Sequence, residues 1–211
     1  MGQGSYCICE WDSLQKNNLE FQRAVASLDQ KIIQKCNTEW SPKTFNAKMA
    51  LNPSSENYGR TTILPALFDD HSSNPLIAGS WRQLFTVAGH QMVLQGVRAG
   101  ETIPEDFKIA WIGLAFPNKQ QHFTDFKWQI GDRKYGRINI EELHSYNKPA
   151  IIFEEGFVLD EEESFHLYGY LEGDIGIEEP FIAGLYQSVV MLGAAYFKVT
   201  SKVLGNCGAA I

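Results

Sequence analysis

The sequence predicts an all-β protein: an antiparallel β-sandwich of about eight strands, jelly-roll-like, preceded by an N-terminal helix and a long extended arm. Three observations predict it. From Ser80 onward, runs rich in β-branched and aromatic residues recur about every 8–12 residues, with Gly, Pro and Asn between them. No helical pattern of about 10–15 residues separates these runs, which argues against parallel βαβ units. The third is FIAGLYQSVVMLGAAYFKV, residues 181–199, whose first 17 residues carry no charge. That is the lower limit of about 17 residues for a membrane-spanning helix. Gly184 and Gly193 interrupt the run, Glu178 and Glu179 precede it, and Lys198, Thr200 and Lys202 then alternate with Val199, Ser201 and Val203. The pattern fits one long strand over residues 185–204, or two joined at a bulge near Gly193, buried on both faces in its first half.

The chain divides into an N-terminal segment (1–40), an arm (41–79) and the sandwich (80–211). The spacing predicts a helix over 12–36, with Asp12 as N-cap and Gln15 three places on. Leu14, Asn18, Phe21, Val25, Leu28 and Ile32 form its stripe. As heptads, Phe21 and Leu28 occupy one seam position and Asn18, Val25 and Ile32 the other, and Asn at a seam fixes register in coiled coils. An amphipathic helix lying on its own domain needs the same stripe, so self-association and intramolecular packing both stand. Over residues 37–79, Pro42, Asn52-Pro53-Ser54-Ser55, Gly59, Pro65 and Ser72-Ser73-Asn74-Pro75 punctuate every candidate element. Phe45, Met49, Leu51, Ile63, Leu64, Leu67 and Phe68 suit an extended arm packed along a surface or strapping a neighbour.

The strands expected after it are 81–87, 91–97, 107–116, 124–130, 133–140, 150–159, 164–171 and 185–204. In the seventh, Phe165, Leu167, Gly169 and Leu171 share one face and His166, Tyr168 and Tyr170 the other.

Charge and cysteine content narrow the function classes. A net charge of −7 with scattered basic residues argues against nucleic acid and against an anionic membrane surface. Cys7, Cys9, Cys36 and Cys207 leave the middle of the chain empty and read as reduced thiols. The Cys7/Cys9 spacing is tighter than that of zinc ligands, and no histidine lies near to complete a set. MGQGSYCICEWD lacks a charged start and apolar core, and Tyr6 breaks the myristoylation pattern, so a cytoplasmic or virion-associated location is expected.

No motif of a hydrolase, zincin, phosphate loop or dinucleotide fold occurs. Asp69-Asp70-His71 reads as an exposed turn rather than a metal centre. Glu154 and Glu155 sit mid-strand, expected on opposite faces and too isolated for a glycosidase pair. The run Asp160-Glu161-Glu162-Glu163 lacks calcium-loop spacing and reads as a solvated hairpin tip. His90, His122, His144 and His166 are dispersed. Neither a metal nor a cofactor is expected, and no catalytic residue is assigned. Trp81, Trp111 and Trp128, with Tyr135, Tyr146, Tyr168 and Tyr170, are candidates for a platform on which sugar rings stack; of these Trp111 and Trp128 suit the core, while Tyr168 and Tyr170 with His166 suit an exposed binding surface, for a sugar or for another protein.

Two function classes follow, and a third trails them. By analogy of fold, the first is a structural protein that assembles as a homo-oligomer or with other shell proteins, as in a virion capsid, with Asn18, Phe21, Val25, Leu28 and Ile32 as seam. The second is a carbohydrate-binding β-sandwich using Tyr168, Tyr170 and one exposed Trp against a glycan, with His166 beside the tyrosines. The third is a metal-dependent hydrolase.

Overall fold

A computed structural model describes residues 6–8, 19–40, 58–77, 79–118, 121–141, 150–172 and 185–198. Eight strands form its frame: β2 (Tyr58–Thr62), β5 (Gly89–Gly96), β6 (Phe107–Ala115), β7 (Phe123–Ile130), β8 (Arg133–Lys134), β10 (Ala150–Leu159), β11 (Phe165–Leu171) and β13 (Val190–Lys198). The first of these pairs with the eighth, the second with the seventh, the third with the sixth and the fourth with the fifth, all antiparallel. This is one long hairpin rolled up on itself, the winding of a jelly roll. Rolling lays β13 against β6 and β11 against β7, which closes the strands into two sheets.

Short strands extend the edges. β1 (Tyr6–Ile8) adds to β10, giving a five-stranded sheet β1-β10-β6-β13-β2. β3 (Phe68–Asp70) adds to β5 and β9 (Ile138–Asn139) to β7, so the second sheet has six strands. Among the described residues, β4 (Arg82–Phe85) and β12 (Leu185–Ser188) pair only with each other, as a separate ribbon.

Alternation in β6 explains the layering. Phe107, Ile109 and Trp111 face the second sheet, whereas Lys108, Ala110 and Ile112 face outward. Past Gly113 the parity switches and Leu114 turns inward, where both neighbouring strands show register shifts. The inner core is aromatic: Trp111 has Trp128, Phe153, Phe157 and Phe165 with ring centroids 4.8–5.5 Å away. Its indole N–H donates to the Gly113 carbonyl at 2.7 Å, so the buried ring leaves no polar atom unsatisfied.

The helix α1 (Leu19–Glu39) covers the outer face of the five-stranded sheet. Phe21, Leu28, Ile32, Cys36 and Trp40 pack there with Ala110, Ile112, Ile152, Ala194 and Tyr196 in a second core. Of the two uses for the stripe, the structure shows the intramolecular one: Phe21, Leu28 and Ile32 are buried and Val25 is half-buried against their own sheet. Each fully buried apolar side chain contributes about 1.5–3 kcal/mol, so the contact holds the helix down. Asp12, Leu14 and Asn18 lie outside the described residues. No described helix is long and apolar enough to cross a membrane.

Three expectations need correction. The stretch assigned to the arm supplies β2, a member of the roll itself, and β3, so residues 58–77 belong to the sandwich. β4 is not a sandwich strand, and its partner β12 is not the first half of a central strand. The break between β12 and β13 falls at Val189 rather than at Gly193. The bulge expected near Gly193 is present, inside β13: the residue's φ is +146°, and a Cβ there would lie 1.9 Å from the Ala110 carbonyl oxygen. Only glycine fits that approach.

Candidate binding face

The six-stranded sheet has one face in the core and one in solvent. In β11, Phe165, Leu167, Gly169 and Leu171 are buried, while His166, Tyr168 and Tyr170 point the other way, as the alternation predicts. Gly169 is needed because a Cβ would come within 2.7–3.0 Å of the Phe123 and Phe126 rings. In β7, Phe126, Trp128 and Ile130 face in, leaving Asp125, Lys127 and Gln129 outside.

Register then assembles three rows across the outer face. Gln95, His166 and Gln129 form one, Met92, Tyr168 and Lys127 the next, and His90, Tyr170 and Asp125 the third. A register shift between Leu167 and Tyr168 brings Met92, rather than Val93, beside Tyr168. Tyr170 is 37% exposed and Tyr168 half-buried. The His166 and Tyr168 rings are nearly parallel, 10° apart in plane and 5.9 Å between centroids. His90 meets Tyr170 edge-on at 5.1 Å, and the Lys127 ammonium lies 5.5 Å from the Tyr168 ring centre.

The polar groups of this face are mostly engaged in pairs. His166 Nε2 is 2.7 Å from Glu101 Oε2, and Arg137 bridges to Asp125 at 3.3 Å. The Nδ1 of His166 has no partner among the described residues. Burial pushes the Tyr168 hydroxyl pKa up, and the nearby Glu101 charge adds to it, so the phenol stays protonated at neutral pH. The face therefore presents two aromatic rings, two imidazoles, the carboxamide of Gln129, a lysine and an ion-paired aspartate, while Gln95 is buried at its margin. It offers stacking and hydrogen bonding.

The other candidates resolve differently. Asp70 caps its own turn, its Oδ1 accepting from the Ser72 amide at 2.9 Å, the Ser72 hydroxyl at 2.6 Å and the Asn74 amide at 3.3 Å. His71 stacks on Phe85 at 4.3 Å. No group of three metal-ligating side chains comes together among the described residues. Glu154 and Glu155 were expected on opposite faces, but both are exposed in a bulge of β10 between Ile152 and Phe157, where strict alternation is lost. Cys7 and Cys9 side chains, His144 and Tyr146 lie outside the described residues. Cys36 is a free, buried thiol whose pKa burial raises to about 12, despite the opposing charge of Lys108.

The acidic tip is only partly solvated: Glu162 is exposed, while Asp160 and Glu161 engage a residue that sequence reasoning missed. Lys108 is wholly buried, and its ammonium lies 2.6 Å from Glu39, 3.0 Å from Asp160 and 3.6 Å from Glu161. Lys35 also pairs with Asp160, and the Trp40 indole N–H donates to Glu161 at 3.0 Å. This cluster ties the end of α1 to the β10–β11 turn. It is an anchor for the helix, enclosed by its own partners. A cleft of about 830 Å³ lies at the other end of the helix, lined by Val25, Ile63, Trp81, Ile112 and Leu192 with Arg60 among them. Arg60 is already bonded to Asp29 and to the Tyr196 hydroxyl.

No family model, curated protein or solved structure matches the chain.

Proposed function

We propose that this protein is a carbohydrate-binding β-sandwich whose glycan lies on the outer face of the six-stranded sheet. One observation carries the reading: Tyr168 and Tyr170 stand on a solvent-facing surface with hydrogen-bonding side chains in register on both sides. A pyranose ring has an apolar face that suits an aromatic platform and an equatorial rim of hydroxyls that suits His90, Gln129 and Asp125. A flat sheet surface accommodates an extended chain of sugars better than a closed pocket would.

Glycan-array binding followed by titration calorimetry tests this. The expected result is binding to a defined glycan class that weakens about tenfold in Tyr168→Ala, in line with the loss of a stacked ring. An intact, folded protein that retains no glycan from a broad array would end the proposal.

A second reading, self-assembly, keeps one observation of its own. With the helix stripe buried internally, the seam residues no longer argue for it. The β4–β12 ribbon does, because Leu84, Tyr186 and the following Val87 are exposed, with Val87 at 64%. Leu84 and Tyr186 are cross-strand partners, and Arg82 lies over the Tyr186 ring at 3.9 Å. Clustered apolar exposure of this kind marks contact surfaces. Light scattering decides it.

A further inference from the structure

We propose that the glycan is acidic, its carboxylate or sulfate held by Lys127 and Lys134 while an adjoining ring stacks on Tyr168; this rests on the sugar-binding reading. The outer face is electrically lopsided. Along its β7–β8 side stand Lys127, Arg133, Lys134 and Arg137, all exposed, against two acids, Asp125 and Asp132. Along the β3 side, and in the turn leading to β6, stand Asp69, Asp70 and Glu101. This basic margin belongs to a chain of net charge −7, so it is a local departure from the overall sign.

Two of the four cations are available on the outer face, since Arg133 stands opposite the inward-facing Ile130. Arg137 is held by Asp125. Neither Lys127 nor Lys134 takes part in an ion pair among the described residues. Register places them together. Lys134 is opposite Gln129, two residues along the same face from Lys127, so the lysines are diagonal neighbours across β7 and β8. Diagonal pairs in a sheet have their Cα atoms about 7–8 Å apart, a separation that two lysine side chains span easily. Two ammonium groups can then converge on one anion.

Lys127 links this anion position to the stacking platform, since it is also the direct neighbour of Tyr168, with its ammonium 5.5 Å from that ring centre. A sugar stacked on Tyr168 therefore directs a substituent toward both lysines. On the opposite side the Glu101–His166 pair presents a carboxylate, which disfavours a ligand turned the other way round. Uronic, sialic and sulfated saccharides share the required chemistry, a pyranose bearing a fixed negative charge.

The test uses the full chain against neutral glycans, polyuronates, sialylated glycans, sulfated glycans and a poly-glutamate peptide, with binding measured at two salt concentrations. The expected result is that an acidic class binds at least tenfold more tightly than neutral glycans of the same backbone. That binding falls with added salt. It drops about tenfold in each of Lys127→Met and Lys134→Met, as loss of a charge-assisted hydrogen bond implies. Preference for polyuronate or sialylated glycans identifies a carboxylate, and preference for sulfated glycans a sulfate. Neutral glycans binding as tightly as acidic ones, or lysine variants binding unchanged, would overturn the inference and leave the tyrosine platform standing. Binding to no glycan, equal binding of poly-glutamate, or acidic binding indifferent to Tyr168→Ala would overturn both.

Discussion

Lys108 shows how much one residue determines. In the strand FKIAWIGLA it is the single charge, on the face shared with Ala110 and Ile112. Burial works to lower its pKa, but hydrogen bonds to Glu39 and Asp160 and the carboxylate charges outweigh that, and the net shift is upward. For Asp160, burial alone would raise the pKa, yet Lys35 and Lys108 hold it below its usual 3.8. The signs define the working range. Asp160 contributes stability above its unfolded value, and that contribution disappears as pH falls through the lower folded value. Lys108 contributes below 10.5 and ceases to as pH rises through its higher folded value. The anchor is therefore unaffected across neutral pH and fails only in strong acid or strong base. Lys108→Met should lower stability by about 2 kcal/mol near neutrality, less than for a fully buried orphan because the three carboxylates keep contact with water. It should also flatten the acid limb of a urea-melting series. If the variant loses stability in acid as steeply as the parent, the cluster does not anchor the helix.

At the scale of elements, β13 depends on a backbone that no side chain permits. Gly193→Ala places a methyl group against the Ala110 carbonyl at a residue with φ of +146°. The expected cost is at least about 2 kcal/mol, with the β13–β6 pairing weakened first. Hydrogen exchange measures that directly, and unchanged protection of Ala194 and Ala195 would contradict it. The elements also show what the sequence reveals. Strands β6, β7 and β11 are readable because each is apolar almost throughout or alternates, β5 and β10 because each carries an apolar run, and β11 reveals its outward triad His166, Tyr168 and Tyr170 by alternation alone. β2 was not readable: Tyr58-Gly59-Arg60-Thr61-Thr62 has no apolar rhythm, and its place comes from pairing with β13. β4 misled for the opposite reason, since WRQLFTV resembles a sandwich strand although Gln83 lies on its buried side. The companions of the tyrosines were hidden too. Lys127 and His90 join Tyr168 and Tyr170 only through register between segments distant in sequence, which one chain's pattern cannot specify. Lys108 was overlooked although its signal was present: a lone charge within a strand apolar on both faces.

For the molecule as a whole, the two surfaces lie at different places and make separable demands. The sheet face presents rings and hydrogen bonds, while the ribbon presents Leu84, Tyr186 and Val87. If the ribbon drives assembly, light scattering at roughly 50 µM should show an oligomer, since useful contacts of this size reach micromolar affinity. Leu84→Ser with Tyr186→Ser should then give a monomer that keeps its glycan binding. A monomeric parent protein at that concentration would remove assembly by this surface. The net charge of −7 opposes close approach of copies, so added salt should favour any oligomer.

The rolled-hairpin winding carries a consequence for how the chain is made. β2 emerges from the ribosome roughly 130 residues before β13, the strand that pairs with it. At ordinary translation speeds that interval is on the order of ten seconds, during which β2 has no partner and the sheet beneath the helix is incomplete. Its polar sequence, which concealed it from pattern reading, is also what lets it wait in water without sticking to its neighbours.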